Sequence, residues 1–156
     1  MSTEWQTAPQ EPPGAYQSGP SGPRAGFWIR FGALLLDGLI LGIPFAILVV
    51  IAAQISSGLA VLVYVLWLVA YIAYPIYYEG GPQCATPGKK ICGIKVIDMN
   101  GGGPIGYSRA TVRFLMRIIS GAVFYLGYLW MLWDKEKQCW HDKVANDVVV
   151  PADAYR

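Results

Sequence analysis

One acidic side chain lies in the middle of the longest apolar stretch of the chain. Asp37 comes ten residues after Phe27, where that stretch begins. A membrane helix that starts near Phe27 rises about 1.5 Å per residue, which places Asp37 about 15 Å deep in a hydrocarbon layer about 30 Å thick. An ionised carboxylate there costs several kcal/mol unless it is protonated, hydrated or paired. Asp37 is therefore a candidate proton or cation carrier, and a structural acid that fixes helix packing is the alternative.

Two further charged residues could accompany this aspartate. Arg30 lies seven residues before Asp37, on the same helix face but about 10 Å away along the axis. We therefore expect Arg30 to pair with another carboxylate, or with Asp37 through water, unless it only marks the cytoplasmic end of the helix. Near the other end of the chain, Asp142 directly follows His141. Adjacent residues do not share a helix face, so this pair predicts no catalytic arrangement by itself.

Other chemistries find little support in the sequence. Cys139 and His141 are too few for a metal site, and the three cysteines have no spacing typical of a disulfide framework. Residues 101–106 match GxGxxG, but they lack the surrounding βαβ unit and read as a turn. The net charge of +2 is too small to indicate nucleic acid. We expect no enzyme, no catalytic residues, no cofactor, no metal and no nucleic-acid partner.

The helices that must position these residues are predicted from the hydropathy of the sequence. Hydrophobic residues make up 54% of the 156 residues and charged residues only 14%, against about a quarter charged in soluble domains. The apolar residues concentrate in three segments, at about 27–55, 59–78 and 114–133, each near the length that crosses a bilayer. These features predict an all-α integral membrane protein, multi-pass, in the plasma membrane.

The first two segments predict a helical hairpin, since a short uncharged turn joins them. The loop that follows contains a short predicted β element within Ile91–Asp98, and Asp147–Val150 is a candidate partner strand. Arg109, Arg113 and Arg117 recur every fourth residue and predict an amphipathic start for the third segment, suited to the interface. That segment either spans the membrane or re-enters it after a break near Gly121.

Domain organisation and orientation complete the prediction. Residues 1–25 are rich in Pro and Gly and predict a disordered tail, 26–150 form the membrane domain, and 151–156 are a short tail. Lys and Arg flank the first helix and fill the long loop, so the N-terminus and that loop are predicted to be cytoplasmic. A spanning third segment would put the C-terminus outside, whereas strand pairing would keep it inside.

Three segments, in chain order, resemble those of the RDD family of bacterial membrane proteins, named for one arginine and two aspartates. The first is Gly26–Phe31 followed by Leu36 and Asp37, and the last is His141–Val150. The loop between them carries the family's second motif, which begins with Thr86, Pro87, Gly88 and Lys89.

The resemblance covers about residues 25–150 and assigns the name-giving residues to Arg30, Asp37 and Asp142. One departure is the pair Asn146-Asp147, where the family commonly has Gly-Thr. The substitution adds an acid beside the predicted strand and changes the residues of the local turn.

The resemblance identifies the family but does not define a function, because the family is mostly uncharacterised. It is suspected of transport, and some members are linked to sodium–proton exchange. The first hypothesis is therefore proton-coupled transport of a monovalent cation or small solute, with Asp37 as the protonatable group and a homo-oligomer in the lipid bilayer as the pathway. The alternative is an accessory or scaffold membrane protein that recruits a cytoplasmic partner through its Pro-rich tail.

Overall fold

The computed structural model describes residues 22–123 and 126–154, so most of the predicted N-terminal tail lies outside the described residues. The described part is mostly helical, with one small sheet. Its helices are α1 (Phe27–Ile55), α2 (Ser57–Gly80), α3 (Pro87–Ile91), α4 (Gly106–Ala122), α5 (Leu126–Leu129), a 3-10 turn (Trp130–Leu132) and α6 (Trp140–Ala145). Its strands are β1 (Ile94–Asp98) and β2 (Asp147–Pro151).

Helices α1 and α2 form the predicted hairpin. They contain 29 and 24 residues, and both are long and apolar enough to cross a membrane. Ser56 separates them, and its hydroxyl accepts a hydrogen bond from the Leu59 amide at 3.1 Å, which caps α2. The rings of Phe45 and Trp67 stack with centroids 4.4 Å apart between the two helices. Most of the remaining apolar side chains point outward, as expected for helices that contact lipid.

The predicted strand pairing is present. β1 and β2 run antiparallel with Val96 opposite Val149, and both side chains are buried. The ladder is rich in β-branched residues, which favour strands, and the consecutive valines of β2 are buried on both of its faces. The strand is shorter than predicted, because the residues before Ile94 complete α3 instead. The Ala25 amide also donates to the Val149 carbonyl at 2.9 Å, so the sheet packs at the end of the hairpin where α1 begins.

The third apolar region is not one straight helix. α4 and the segment Leu126–Leu132 meet at an angle of 110°, two residues beyond the predicted break near Gly121. α4 is amphipathic as predicted, with Leu115 and Ile118 exposed and Arg113 buried. After the bend the chain returns through α6 to β2, at the same end of the hairpin as the N-terminus of α1.

Candidate functional site

The loop motif is a short helix that is built against α1. The Thr86 hydroxyl accepts the Lys89 amide at 3.4 Å as the N-cap of α3, and Pro87 occupies the first turn, where its missing N–H costs nothing. The first two residues of the motif therefore serve to begin the α3 helix. The remaining two, Gly88 and Lys89, face other elements.

Asp37 receives three hydrogen bonds from this turn and from α2. The Gly88 amide donates to Oδ1 at 2.8 Å, the Tyr74 hydroxyl donates to Oδ1 at 2.7 Å, and the Thr86 hydroxyl donates to Oδ2 at 2.5 Å. These donors offset much of the cost of placing an acid in an apolar helix. They are two hydroxyls and an amide, which reach Asp37 because the loop folds back along α1, and Arg30 pairs with Asp142 instead.

Gly88 is required by this close approach. A Cβ atom built at this position would lie 2.5 Å from the Ala33 carbonyl oxygen and 2.7 Å from the Asp37 carboxyl group. Both neighbours belong to α1 and cannot move without shifting that helix. The glycine of the motif thus lets the α3 backbone contact α1 directly.

Beside Asp37, side chains from six elements form what we call the buried charge cluster. Its members are Arg30, Glu79, Lys89, Arg113, Arg117, Asp142 and Asp147. Their side chains are at most 20% exposed. The cluster brings together residues that are more than 100 positions apart in the chain.

Asp142 is the fully buried acid at one side of the cluster. Its Oδ2 accepts from Arg30 at 2.7 Å and from the Cys139 amide at 2.9 Å, and its Oδ1 contacts Arg113. Burial alone would raise the pKa of this carboxyl, but Arg113, with His141 and Arg30, holds the pKa well below its usual range. Arg30 therefore pairs with a carboxylate other than Asp37, as expected from the sequence, and that carboxylate belongs to Asp142.

Glu79, at the end of α2, organises the other side. It accepts from the Lys89 ammonium at 2.6 Å, from Arg113 Nε at 2.8 Å and from Arg117 Nη2 at 3.1 Å. Burial lowers the pKa of Lys89 to about 8, against the opposing charge of Glu79. The sequence analysis missed Glu79, although it is an acid that ends an apolar helix opposite an arginine face. The ion pair with Glu79 also explains why the fourth residue of the loop motif is a lysine.

The departure at Asn146-Asp147 is also explained. Asn146 has φ of +53°, a left-handed conformation that asparagine tolerates better than most residues. Asp147 is buried against Arg113, and its Oδ2 has no hydrogen-bond partner among the described residues. Burial raises the pKa of Asp147 to about 7, against the attraction of Arg113 and with the repulsion of Asp142. The added acid is thus a member of the cluster.

A third arginine of α4 ties the sheet to this assembly. Arg109 forms two hydrogen bonds with the Asp98 carboxylate, at 2.9 and 3.0 Å, and donates to the Ala145 carbonyl at 2.8 Å. The arginine face of α4 therefore points toward protein rather than toward the membrane interface. In physical terms, α4 connects α2, β1 and α6 through its charges.

Among the described residues, three neighbouring side chains of this site are of the types that bind metal ions. Ligand atoms of Cys139, His141 and Asp142 lie within 4.8 Å of one another. Burial lowers the pKa of His141 well below its ordinary value. Arg30 and Arg113 already occupy Asp142, and their positive charges oppose a metal cation. The donor set therefore does not fit a metal.

A cavity of about 440 Å³ lies between the hairpin and the α4–α5 bend. Its wall includes Asp37 and Arg117, together with the hydroxyl-bearing residues Tyr74, Thr86 and Tyr128. Apolar and aromatic residues supply the remaining wall. A concave, mostly apolar site with a few convergent polar groups is typical of small-molecule binding.

Comparison with known proteins gives one family and several relatives for this sequence. The profile of the RDD family matches residues 24–146. "Uncharacterized protein YxaI" of Bacillus subtilis (strain 168) is 29% identical over 147 residues, covering 81% of this chain and 96% of that protein. "Proline-rich antigen homolog" of Mycobacterium tuberculosis (strain ATCC 25618 / H37Rv) is 33% identical over 82 residues, covering 53% of this chain but only 34% of that protein. No solved structure matches the chain.

Proposed function

This chain belongs to the RDD family, and from that premise we propose that it is a multi-pass plasma-membrane protein for proton-coupled transport of a monovalent cation or small solute. The observation that carries the proposal is the cavity beside Asp37. The carboxylate forms part of the cavity wall while its oxygens hold donors from α2 and the Thr86–Lys89 turn.

The hairpin length supports a specific depth for Asp37. From Asp37 to the end of α1 at Ile55 is 18 residues, or about 27 Å of helix. The stretch of α2 from Ser57 to Tyr74 has nearly the same length. Both match a hydrocarbon layer about 30 Å thick, so we place Asp37 near its boundary. The depth of about 15 Å that the sequence suggested assumed that the hydrocarbon began at Phe27, whereas the sheet and α6 contact that end of α1 through Ala25 and Arg30.

Charge supports the orientation of this boundary. The buried charge cluster and the basic residues of the long loop lie at this end of the hairpin, whereas the turn at 54–58 carries no charge. The positive-inside rule then puts the N-terminus and the long loop in the cytoplasm. Because β2 pairs with β1, we place the C-terminus on the same side, with the α4–α5 bend as a re-entrant or interfacial element.

We infer how a proton and a cation exchange at Asp37 from the number of hydrogen bonds that its carboxylate accepts. The carboxylate accepts three donors, and a proton or cation placed on its oxygens competes with them. Protonation would weaken the bonds to Thr86 and Gly88 and loosen the turn that covers this side of the cavity. Two spanning helices are few for a complete pathway, so the transporter would be a homo-oligomer.

The test is transport by the purified chain in vesicles. We expect an imposed sodium or potassium gradient to drive proton movement, and Asp37→Asn to reduce the rate at least tenfold. Asp153→Asn removes an equal charge at an exposed position and should behave as the wild type. Full activity of Asp37→Asn would refute this mechanism, and a wild-type protein that moves neither ion nor solute would refute the function.

A second candidate, the accessory or scaffold protein, is favoured by a different observation. Asp37 joins three elements through its hydrogen bonds, since α2 and the Thr86–Lys89 turn both donate to this α1 side chain, as expected of a structural acid. In that case Asp37→Asn should lower the thermal stability with no transport to lose. Deleting residues 1–21, which stops short of the Arg24–Glu136 ion pair, should then abolish capture of a cytoplasmic partner and leave the membrane domain folded.

A further inference from the structure

The cavity beside Asp37 carries both signs of charge at one end. Asp37 and Arg117 both belong to its wall. Arg117 uses one nitrogen, Nη2, for Glu79, and its side chain remains 20% exposed. A ligand head that contains one cationic and one acidic group would satisfy both residues at once, whereas a monovalent cation would pair with Asp37 alone.

The other end of the cavity is apolar. Leu41 and Gly42 lie about one helical turn beyond Asp37, and Trp67 lies about two turns beyond Tyr74. In the membrane placement proposed above, the polar end is at the cytoplasmic boundary and the apolar end is within the hydrocarbon. The cavity therefore has the polarity of a lipid in the inner leaflet.

Three glycines of the cavity wall border open space. A Cβ atom at Gly38, Gly42 or Gly121 would meet no atom within 4 Å. The packing of the chain itself therefore does not require glycine there, in contrast to Gly88. Glycine in a helix interior costs about 1 kcal/mol relative to alanine, so an occupant of the cavity is a physical reason to keep it.

We propose that the cavity holds one amphiphile whose head bears both an ammonium and an acidic group, as phosphatidylethanolamine does. The ammonium donates to Asp37, the acidic group accepts from Arg117, and the tail lies along the Gly38–Gly42 face of α1. The inference rests on the proposed function in taking the same cavity as the solute site, and it names the class of that solute. The same head chemistry occurs in a bilayer lipid and in a free zwitterion.

Selectivity follows from hydrogen bonding and charge. A quaternary choline head cannot donate a hydrogen bond to Asp37, and a phosphatidylglycerol head has no positive charge for it. Charge-assisted hydrogen bonds are about twice as strong as neutral ones. We therefore expect phosphatidylethanolamine to bind at least tenfold more tightly than either of these lipids.

The test is native mass spectrometry of the full chain in detergent, titrated separately with phosphatidylethanolamine, phosphatidylcholine, phosphatidylglycerol and free phosphoethanolamine. We expect one phosphatidylethanolamine per chain, bound in preference to the other three. Equal binding of the three lipids would overturn the proposal. Saturation by phosphoethanolamine at the same concentration as the lipid would also overturn it, since the tail would then contribute nothing.

Filling the apolar end provides the matched variants. Gly42→Leu should weaken phosphatidylethanolamine binding at least tenfold without lowering the melting temperature. Gly58→Leu is the control, because Gly58 is exposed at the far turn and also has open space around its Cβ position. If Gly42→Leu binds the lipid normally, or only converts a dimer into a monomer, the occupant is not this amphiphile. Selective binding by a chain that transports nothing would refute the proposed function alone, and transport without selective binding would refute this inference alone.

Discussion

Asp142→Asn is expected to destabilise the protein by about 3–5 kcal/mol, the cost of removing one partner from a buried ion pair. Arg30 would face a neutral amide at the fully buried position 142, and Arg113 would keep only Glu79 and Asp147 as acidic partners. The substitution keeps the side-chain volume, so the loss would report charge rather than packing. Denaturant unfolding in detergent, followed by tryptophan fluorescence, measures the change.

Two further variants make this prediction specific. Asp153→Asn removes the same charge from an exposed position near the C-terminus and should change stability by less than about 0.5 kcal/mol. Adding Arg30→Met to Asp142→Asn should recover part of the loss, because it removes one of the buried charges left without a partner. If Asp142→Asn unfolds like Asp153→Asn, the cluster does not hold the C-terminal segment to the hairpin.

Gly88→Ala is expected to lower the stability of the protein more than any other Gly→Ala substitution in the long loop. Its Cβ would overlap the Ala33 carbonyl and the Asp37 carboxyl group, and overpacking of this kind costs about 1–3 kcal/mol or more. Separation of α3 from α1 would also remove the Gly88 and Thr86 donors from Asp37. Thermal unfolding measures the loss of stability, and the vesicle assay measures the effect on function.

Gly103→Ala is the matched control for this prediction. Gly103 lies in the same loop, and its Cβ position has no atom within 4 Å and no positive φ. We expect this variant to unfold at the wild-type temperature. A Gly88→Ala chain that is as stable as Gly103→Ala would mean that α3 does not contact α1 as closely as described.

Much of the fold was accessible from sequence because its causes are local. Continuous apolar runs set the ends of α1 and α2 to within two residues, and the β-rich segments near Ile94 and Val149 indicated the sheet. The amphipathic start and the break of the third segment were also visible. The 110° bend and the return of the chain to the sheet were not, since they depend on the pairing of strands about 50 residues apart.

The candidate site was predictable only as a set of separate residues. Arg30, Asp37 and Asp142 were identified, but their partners lie across the chain. Arg30 pairs with Asp142 over 112 positions. Glu79 was missed because a single acid at the end of a helix is usually solvated. Its burial becomes evident only when α4 is packed against it. Hydropathy gives the depth of a residue only if the membrane boundary is known, so the predicted depth of Asp37 depends on where that boundary is drawn.

The measurement that tests the account most directly is the sidedness of the C-terminal segment. The ion pair of Arg30 with Asp142, the pairing of β1 with β2 and the placement of the cavity all require this segment and the long loop to share one side of the membrane. Single Asp153→Cys, Asn100→Cys and Ser57→Cys variants can be treated in intact cells with a membrane-impermeant maleimide, the parent chain giving the background from its native cysteines.

We expect the Ser57→Cys variant to label in intact cells, and the Asn100→Cys and Asp153→Cys variants to label only after lysis. Labelling of the Asp153→Cys variant in intact cells, together with the Ser57→Cys variant, would contradict the account. It would put β2 on the side opposite β1 and leave the buried charge cluster without Asp142 and Asp147.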